Sequence, residues 1–151
     1  MTLTDLVPSL EVCQQLKVAG FPQDTAMVWA NKHDFDDDTD PFTFNVADWI
    51  VVERIGMLDD DGDPMNEFVA APTAEGILRE LPPYLRGSCV QLDLNVSHVV
   101  GCNFDGVQQE PLWIVQWCCP EIDEVVGRQE SRSFLVLAAS AAYFWWKGEK
   151  P

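Results

Sequence analysis

The residues whose type and spacing first suggest chemistry are aspartates. Asp34, Asp36, Asp37, Asp38 and Asp40 crowd one stretch (HDFDDDTDPF), and Asp59, Asp60, Asp61 and Asp63 crowd a second (LDDDGDPMNE). Such density suits either a divalent cation or a basic partner. The EF-hand template fails: with Gly62 at its sixth position, the first is Met57 and the twelfth is Phe68, and neither offers a carboxylate. The alternating aspartates of the first stretch lack the glycine turn and the terminal bidentate glutamate. A solvated acidic loop is the plain reading, with weak calcium binding as the alternative, and no metal site is assigned. Transition metals have no C-x-x-C pair and no H-x-x-x-H, and His33 and His98 lie far apart.

Nucleophilic catalysis finds no local motif either. Cys13, Cys89, Cys102, Cys118 and Cys119 are odd in number and lack a disulfide framework, which fits free thiols in a reducing cytoplasm. The apolar run around Cys118 and Cys119 would raise a thiol pKa, so these read as core residues. There is no Walker A or G-x-G-x-x-G loop. No catalytic residue, enzymatic activity or cofactor is therefore assigned.

Six tryptophans are more informative. Trp29, Trp49, Trp113 and Trp117 fall on expected strands, where core filling is the plain reading and lining a pocket the alternative. Trp145 and Trp146 end the last expected helix. Both cannot easily face one core, so one of them is the candidate oligomer or partner contact.

The elements that must position these residues can be read from punctuation and period. A helix is expected from about Leu10 to Ala19, capped by Ser9, with Leu10, Cys13 and Leu16 on one stripe and Gly20 and Pro22 as the stop. Strands are expected at Ala26–Asn31 and about Asp48–Ile55, each followed by an acidic loop, about 33–42 and 58–67. A second helix begins at Thr73, buries Ala74, Ile77, Leu78 and Leu81, and ends at Pro82 and Pro83. Cys89–Val96 alternates with period two, and a further strand is read through His98 to Phe104. Leu112–Cys119 is apolar on both faces and belongs in the middle of a sheet. PEIDEVVGRQE reads as a polar loop, and about Ser133–Trp146 as a helix buried on several sides. This order gives an α+β fold: one domain over 1–151, with three helices packed on a mainly antiparallel sheet of four to five strands.

Composition bounds the function. The chain has 151 residues, 25 acidic against 9 basic, and a net charge of −16. That charge argues against direct nucleic-acid binding, which needs cations to displace counterions, and against an anionic membrane surface. The longest apolar run, Phe134 to Trp146, falls short of the roughly 20 residues that cross a bilayer. The N-terminal residues have no basic, apolar secretory pattern, so a cytoplasmic protein is expected. With 47% hydrophobic and 11% aromatic residues the chain can build a core. Twelve of the 25 acids lie between Asp34 and Glu67, with Arg54 the one basic residue there, so the charge is displayed locally on a scaffold.

The segments PSLEVCQQLKVAGFPQDTAMVW, VAAPTAEGILRELP and LAASAAYFWWKG, in that order, resemble a family of small uncharacterised phage and prophage proteins. The resemblance covers about half of the chain. It implies a phage accessory role in a bacterial host cell and carries over no catalytic residue. The chain departs from the family in its acidic insertions (Asp34 to Asp40, Asp59 to Asp63) and in a longer stretch between Val96 and Pro111.

Charge and resemblance together suggest a protein-binding accessory protein, an anti-CRISPR-like or other anti-defence inhibitor that meets a basic host surface. Its contacts would be Asp34, Asp36, Asp37, Asp38, Asp40, Asp59, Asp60, Asp61 and Asp63, with Phe35 and Phe42 as apolar anchors. Solubility or halophilic adaptation explains the same charge. One alternative is a protein that sequesters a nucleotide-like signal in a Trp-lined pocket, its phosphates held by Arg79, Arg86, Arg128 or Arg132. Another is a structural accessory protein without inhibitory role, a homodimer through the last helix.

Overall fold

The computed structural model describes residues 6–31, 49–87, 90–100, 111–132 and 134–148. The chain divides into two compact units, Met1–Thr73 and Ala74–Pro151. The class is α+β, and among the described residues every strand pairing is antiparallel. The described strands are shared between two sheets, one of three and one of four.

In the first unit, helix α1 (Leu10–Val18) starts where the Ser9 hydroxyl accepts the Val12 N–H at 3.4 Å. It stops at Gly20, whose φ of 84° lets the Phe21 N–H return to the Leu16 carbonyl at 2.9 Å. The expected stripe of Leu10, Cys13 and Leu16 is buried. Strand β1 (Met27–Asn31) lies between β2 (Trp49–Glu53) and β3 (Phe68–Ala70), with Trp29 opposite both Val51 and Val69. Its alternation builds two apolar clusters. Leu10, Cys13 and Val69 pack with Trp29 and Trp49, while Val28, Ala30 and Met57 pack with Val52 and Phe68. Met57 closes a 3-10 turn, Arg54–Met57. The three-residue β3 escapes a periodicity search because FVA runs straight into the apolar AAP.

In the second unit, α2 (Ala74–Glu80) and α3 (Leu135–Gly148) accompany β4 (Tyr84–Arg86), β5 (Gln91–Val99), β6 (Leu112–Cys119) and β7 (Glu124–Ser131), in the order β4-β5-β6-β7. As expected, β6 is central, and its Val115 and Trp117 are fully buried. Helix α3 packs on α2, β6 and β7, which accounts for its nearly all-round apolar surface. Its buried hydroxyl, Ser140, is satisfied by the Val136 carbonyl at 2.8 Å.

Two readings change here. The segment from Glu124 onward is a strand rather than a polar loop. Its exposed edge position admits charged residues, while Trp117↔Val126 pairing and cover from α3 supply its stability. The stretch from Gln91 to Val99 is one strand rather than two, because its pairing with β6 continues unbroken from Asp93↔Cys118 to Val99↔Leu112. Residues 101–110, which include the expected Asp105-Gly106 turn, lie outside the described residues.

Candidate functional site

The second acidic stretch forms an ordered hairpin tip on the first unit. Its stem grows from the buried Met57, whose carbonyl accepts the Met65 N–H at 2.9 Å, followed by a bridge between Leu58 and Pro64. The Asp59 N–H then donates to the Asp63 carbonyl at 2.9 Å, and the Gly62 N–H to the Asp59 carbonyl at 3.0 Å. One carboxylate oxygen of Asp59 accepts both the Asp61 N–H, at 3.0 Å, and the Asp63 N–H, at 2.8 Å. This local bonding is why aspartate and glycine recur here: Asp supplies the acceptor, and Gly62 takes a φ of 85°.

The chemistry of the tip follows from that division of labour. Asp59 is spent on holding the turn. Asp60, Asp61 and Asp63 are exposed, and among the described residues no lysine or arginine pairs with any of the four. Among the described residues no group of three or more metal-ligating side chains converges for a metal ion. The tip therefore presents three uncompensated carboxylates on a fixed backbone.

Two residues beside the tip were not singled out from sequence: Ile55, 77% exposed, and Met65, 55% exposed. Ile55 lies in the 3-10 turn that leads into the stem and Met65 closes the stem on its far strand, and exposed apolar residues of this kind supply what a protein interface needs. No periodic signal marks them, because both sit outside regular strands. The first acidic stretch, with Asp34, Asp36, Asp37, Asp38, Asp40, Phe35 and Phe42, lies outside the described residues.

Trp145 and Trp146 are half-buried rather than freely exposed. Trp145 packs on Trp117 with ring centroids 5.4 Å apart. Trp146 meets Tyr143 edge-on at 5.7 Å and is covered by the Lys147 ammonium, 4.5 Å from its centroid. One face of the helix end thus goes to the sheet, and the lysine shields the other ring.

Three of the remaining candidate groups, Cys13, Arg79 and Arg128, are occupied with structure. The Cys13 thiol donates to the Pro8 carbonyl at 3.5 Å, and burial pushes its pKa up to about 12, which suppresses the thiolate. Of the arginines considered as phosphate clamps, Arg79 pairs with Glu75 at 2.5 Å and Arg128 with Glu130 at 2.6 Å. An open cleft of about 490 Å³ on the first unit is lined by Asp24, Thr25, Met27, Glu53, Arg54 and Ile55 among others. No tryptophan lines it, and two carboxylates to one guanidinium make it a poor seat for an anion. Compared with known proteins, the chain matches no family model, no curated protein and no solved structure.

Proposed function

We propose that this protein acts by binding another protein, offering an acidic surface to a basic partner. The observation that carries the reading is the hairpin tip: Asp59 holds the turn, which leaves Asp60, Asp61 and Asp63 presented together without a cation among the described residues. Fixed carboxylates steer a basic partner at long range, and Ile55 and Met65 add apolar contact once it arrives. The resemblance to phage proteins extends the proposal to an accessory role in the cytoplasm of a bacterial host. There the natural partner would be a basic nucleic-acid groove of a defence nuclease, which a compact polyanion can occupy.

The test is binding to such a basic host nuclease across a salt series, with Asp60→Asn, Asp61→Asn and Asp63→Asn combined as the comparison. The expected result is affinity that falls steeply with salt and drops by about tenfold or more in the triple variant, since each close charge contributes on the order of 1 kcal/mol. Equal binding by a folded triple variant, or no binding at low ionic strength, would sink the proposal.

A further inference from the structure

The open cleft on the first unit is a poor seat for an anion, and the same lining suits a cation. Its floor is the end of the β1–β2 ladder. Met27 lies opposite Glu53 there, and the Arg54 N–H donates to the Ala26 carbonyl at 2.8 Å. The chain then turns through the 3-10 segment Arg54–Met57 to Leu58, which also lines the cleft. Leu58 bridges to Pro64 at the stem of the acidic hairpin, so the cleft opens at the root of that hairpin.

Two kinds of group meet an incoming ligand. Ala26, Met27, Ile55 and Leu58 supply apolar wall, while Asp24, Thr25 and Glu53 supply oxygen. The Thr25 hydroxyl donates to the Met27 carbonyl at 2.6 Å, so its proton is committed and only its lone pairs remain for a ligand. No ion pair joins Arg54 to Asp24 or Glu53, and among the described residues no other cation pairs with either carboxylate. The oxygens are thus acceptors in want of donors. Two carboxylates against one guanidinium leave the lining net negative.

Apolar wall beside acceptors matches a side chain made the same way, a methylene stem with a cationic head. Arginine fits better than lysine. Its planar fork of donors can meet carboxylates from two elements at once, Asp24 ahead of β1 and Glu53 at the end of β2. The cleft, about 490 Å³, falls within the roughly 300–1,000 Å³ of small-ligand pockets and has room for one such side chain.

We propose that this cleft seats an arginine side chain of the basic partner, while Asp60, Asp61 and Asp63 meet its neighbouring positive charges. The inference rests on the acidic-surface reading and adds a defined socket to it. Arg54 gives the socket a signature. It repels the seated cation, so its removal tightens binding, whereas neutralising Asp24 and Glu53 loosens it. An anionic ligand would reverse both signs.

The test titrates acetyl-Gly-Arg-Gly-amide into isotope-labelled protein by NMR, which isolates the socket from the many charges of a whole partner. The same peptide with citrulline, nearly equal in shape and uncharged, is the control. Amide signals of Thr25, Met27, Ile55 and Leu58 should shift with arginine and not with citrulline. Asp24→Asn with Glu53→Gln should weaken binding about fivefold or more, and Arg54→Gln should tighten it about threefold. Glu121→Gln with Asp123→Asn, and separately Arg132→Gln, make the same changes of net charge on the second unit. Those controls should leave affinity nearly unchanged, because screening confines the effect of a charge to about 10 Å at 0.1 M salt. Signal dispersion and urea midpoints confirm that every variant folds. Equal binding of the citrulline peptide, shifts confined to residues outside the cleft, or no binding overturns the inference. So does unchanged affinity in the folded Asp24, Glu53 variant, or weaker binding in Arg54→Gln. The Asp60, Asp61, Asp63 triple variant should still bind the tripeptide while losing the nuclease. A failed socket therefore leaves nuclease binding dependent on the tip, and a failed acidic surface leaves a seated peptide with no nuclease bound.

Discussion

Gly62 and Gly127 both take positive φ, at 85° and 61°, and their surroundings are opposites. Around Gly62 a Cβ would meet nothing within 4 Å. At Gly127 a Cβ would stand 2.5 Å from the Trp145 ring. The acidic tip is held by bonds among Asp59, Asp61, Gly62 and Asp63, whereas the β7 irregularity is held by a helix eighteen residues further on. A locally held turn can carry any exposed side chains without endangering the fold. That freedom is what a display surface requires, and the tightly packed bulge lacks it.

Alanine at the two glycines gives the largest test of this contrast. Gly127→Ala should cost about 2–4 kcal/mol, combining positive-φ strain with a clash against Trp145. Gly62→Ala should cost about 1 kcal/mol, from strain alone. Urea denaturation of both variants measures the difference, and similar losses would erase it. A cycle adding Trp145→Ala should reduce the Gly127→Ala penalty by about 1 kcal/mol or more, because the two residues touch.

Cys13 sharpens the contrast inside the first unit, where the helix–sheet core is tertiary and the tip is local. Its thiol rises from the ordinary 9.0 to about 12 through burial, with the nearby Trp29 side chain opposing. Below pH 9 the folded and unfolded thiols are both protonated. Above it only the unfolded chain releases the proton, so the thiol's contribution to stability is lost as pH climbs toward 12. Cys13→Ser should flatten that part of the stability–pH curve, and native Cys13 should resist alkylation at pH 8. Rapid native labelling of Cys13 would contradict this.

The smallest effects belong to the tip. Asp59→Ala removes the acceptor of two amides and should cost about 1 kcal/mol, moderated because water reaches them. Asp60→Asn, Asp61→Asn and Asp63→Asn should each stay within about 0.5 kcal/mol in thermal melts. A larger loss would mean that these carboxylates also hold structure.

What could be read beforehand follows the same division. Ser9, Gly20 and the Leu10, Cys13, Leu16 stripe specify α1 because caps and period act within a few residues. Asp59 and Gly62 announce a turn for the same reason. The apolar run of β6 marks it as central, since only a strand covered on both faces can bury it. Distant partners were needed for the rest. EVVGRQES is polar enough to be a loop, and becomes a strand because Trp117 and Trp145 give it something to pack against. Ile55 and Met65 are left exposed at the base of the acidic hairpin while Met57 between them is buried, which no local pattern announces. By itself the sequence determined where charge, turns and helix ends lie, because those depend on neighbouring residues. Tertiary structure alone decided which strand edges and side chains stay open, because that depends on pairing across the chain.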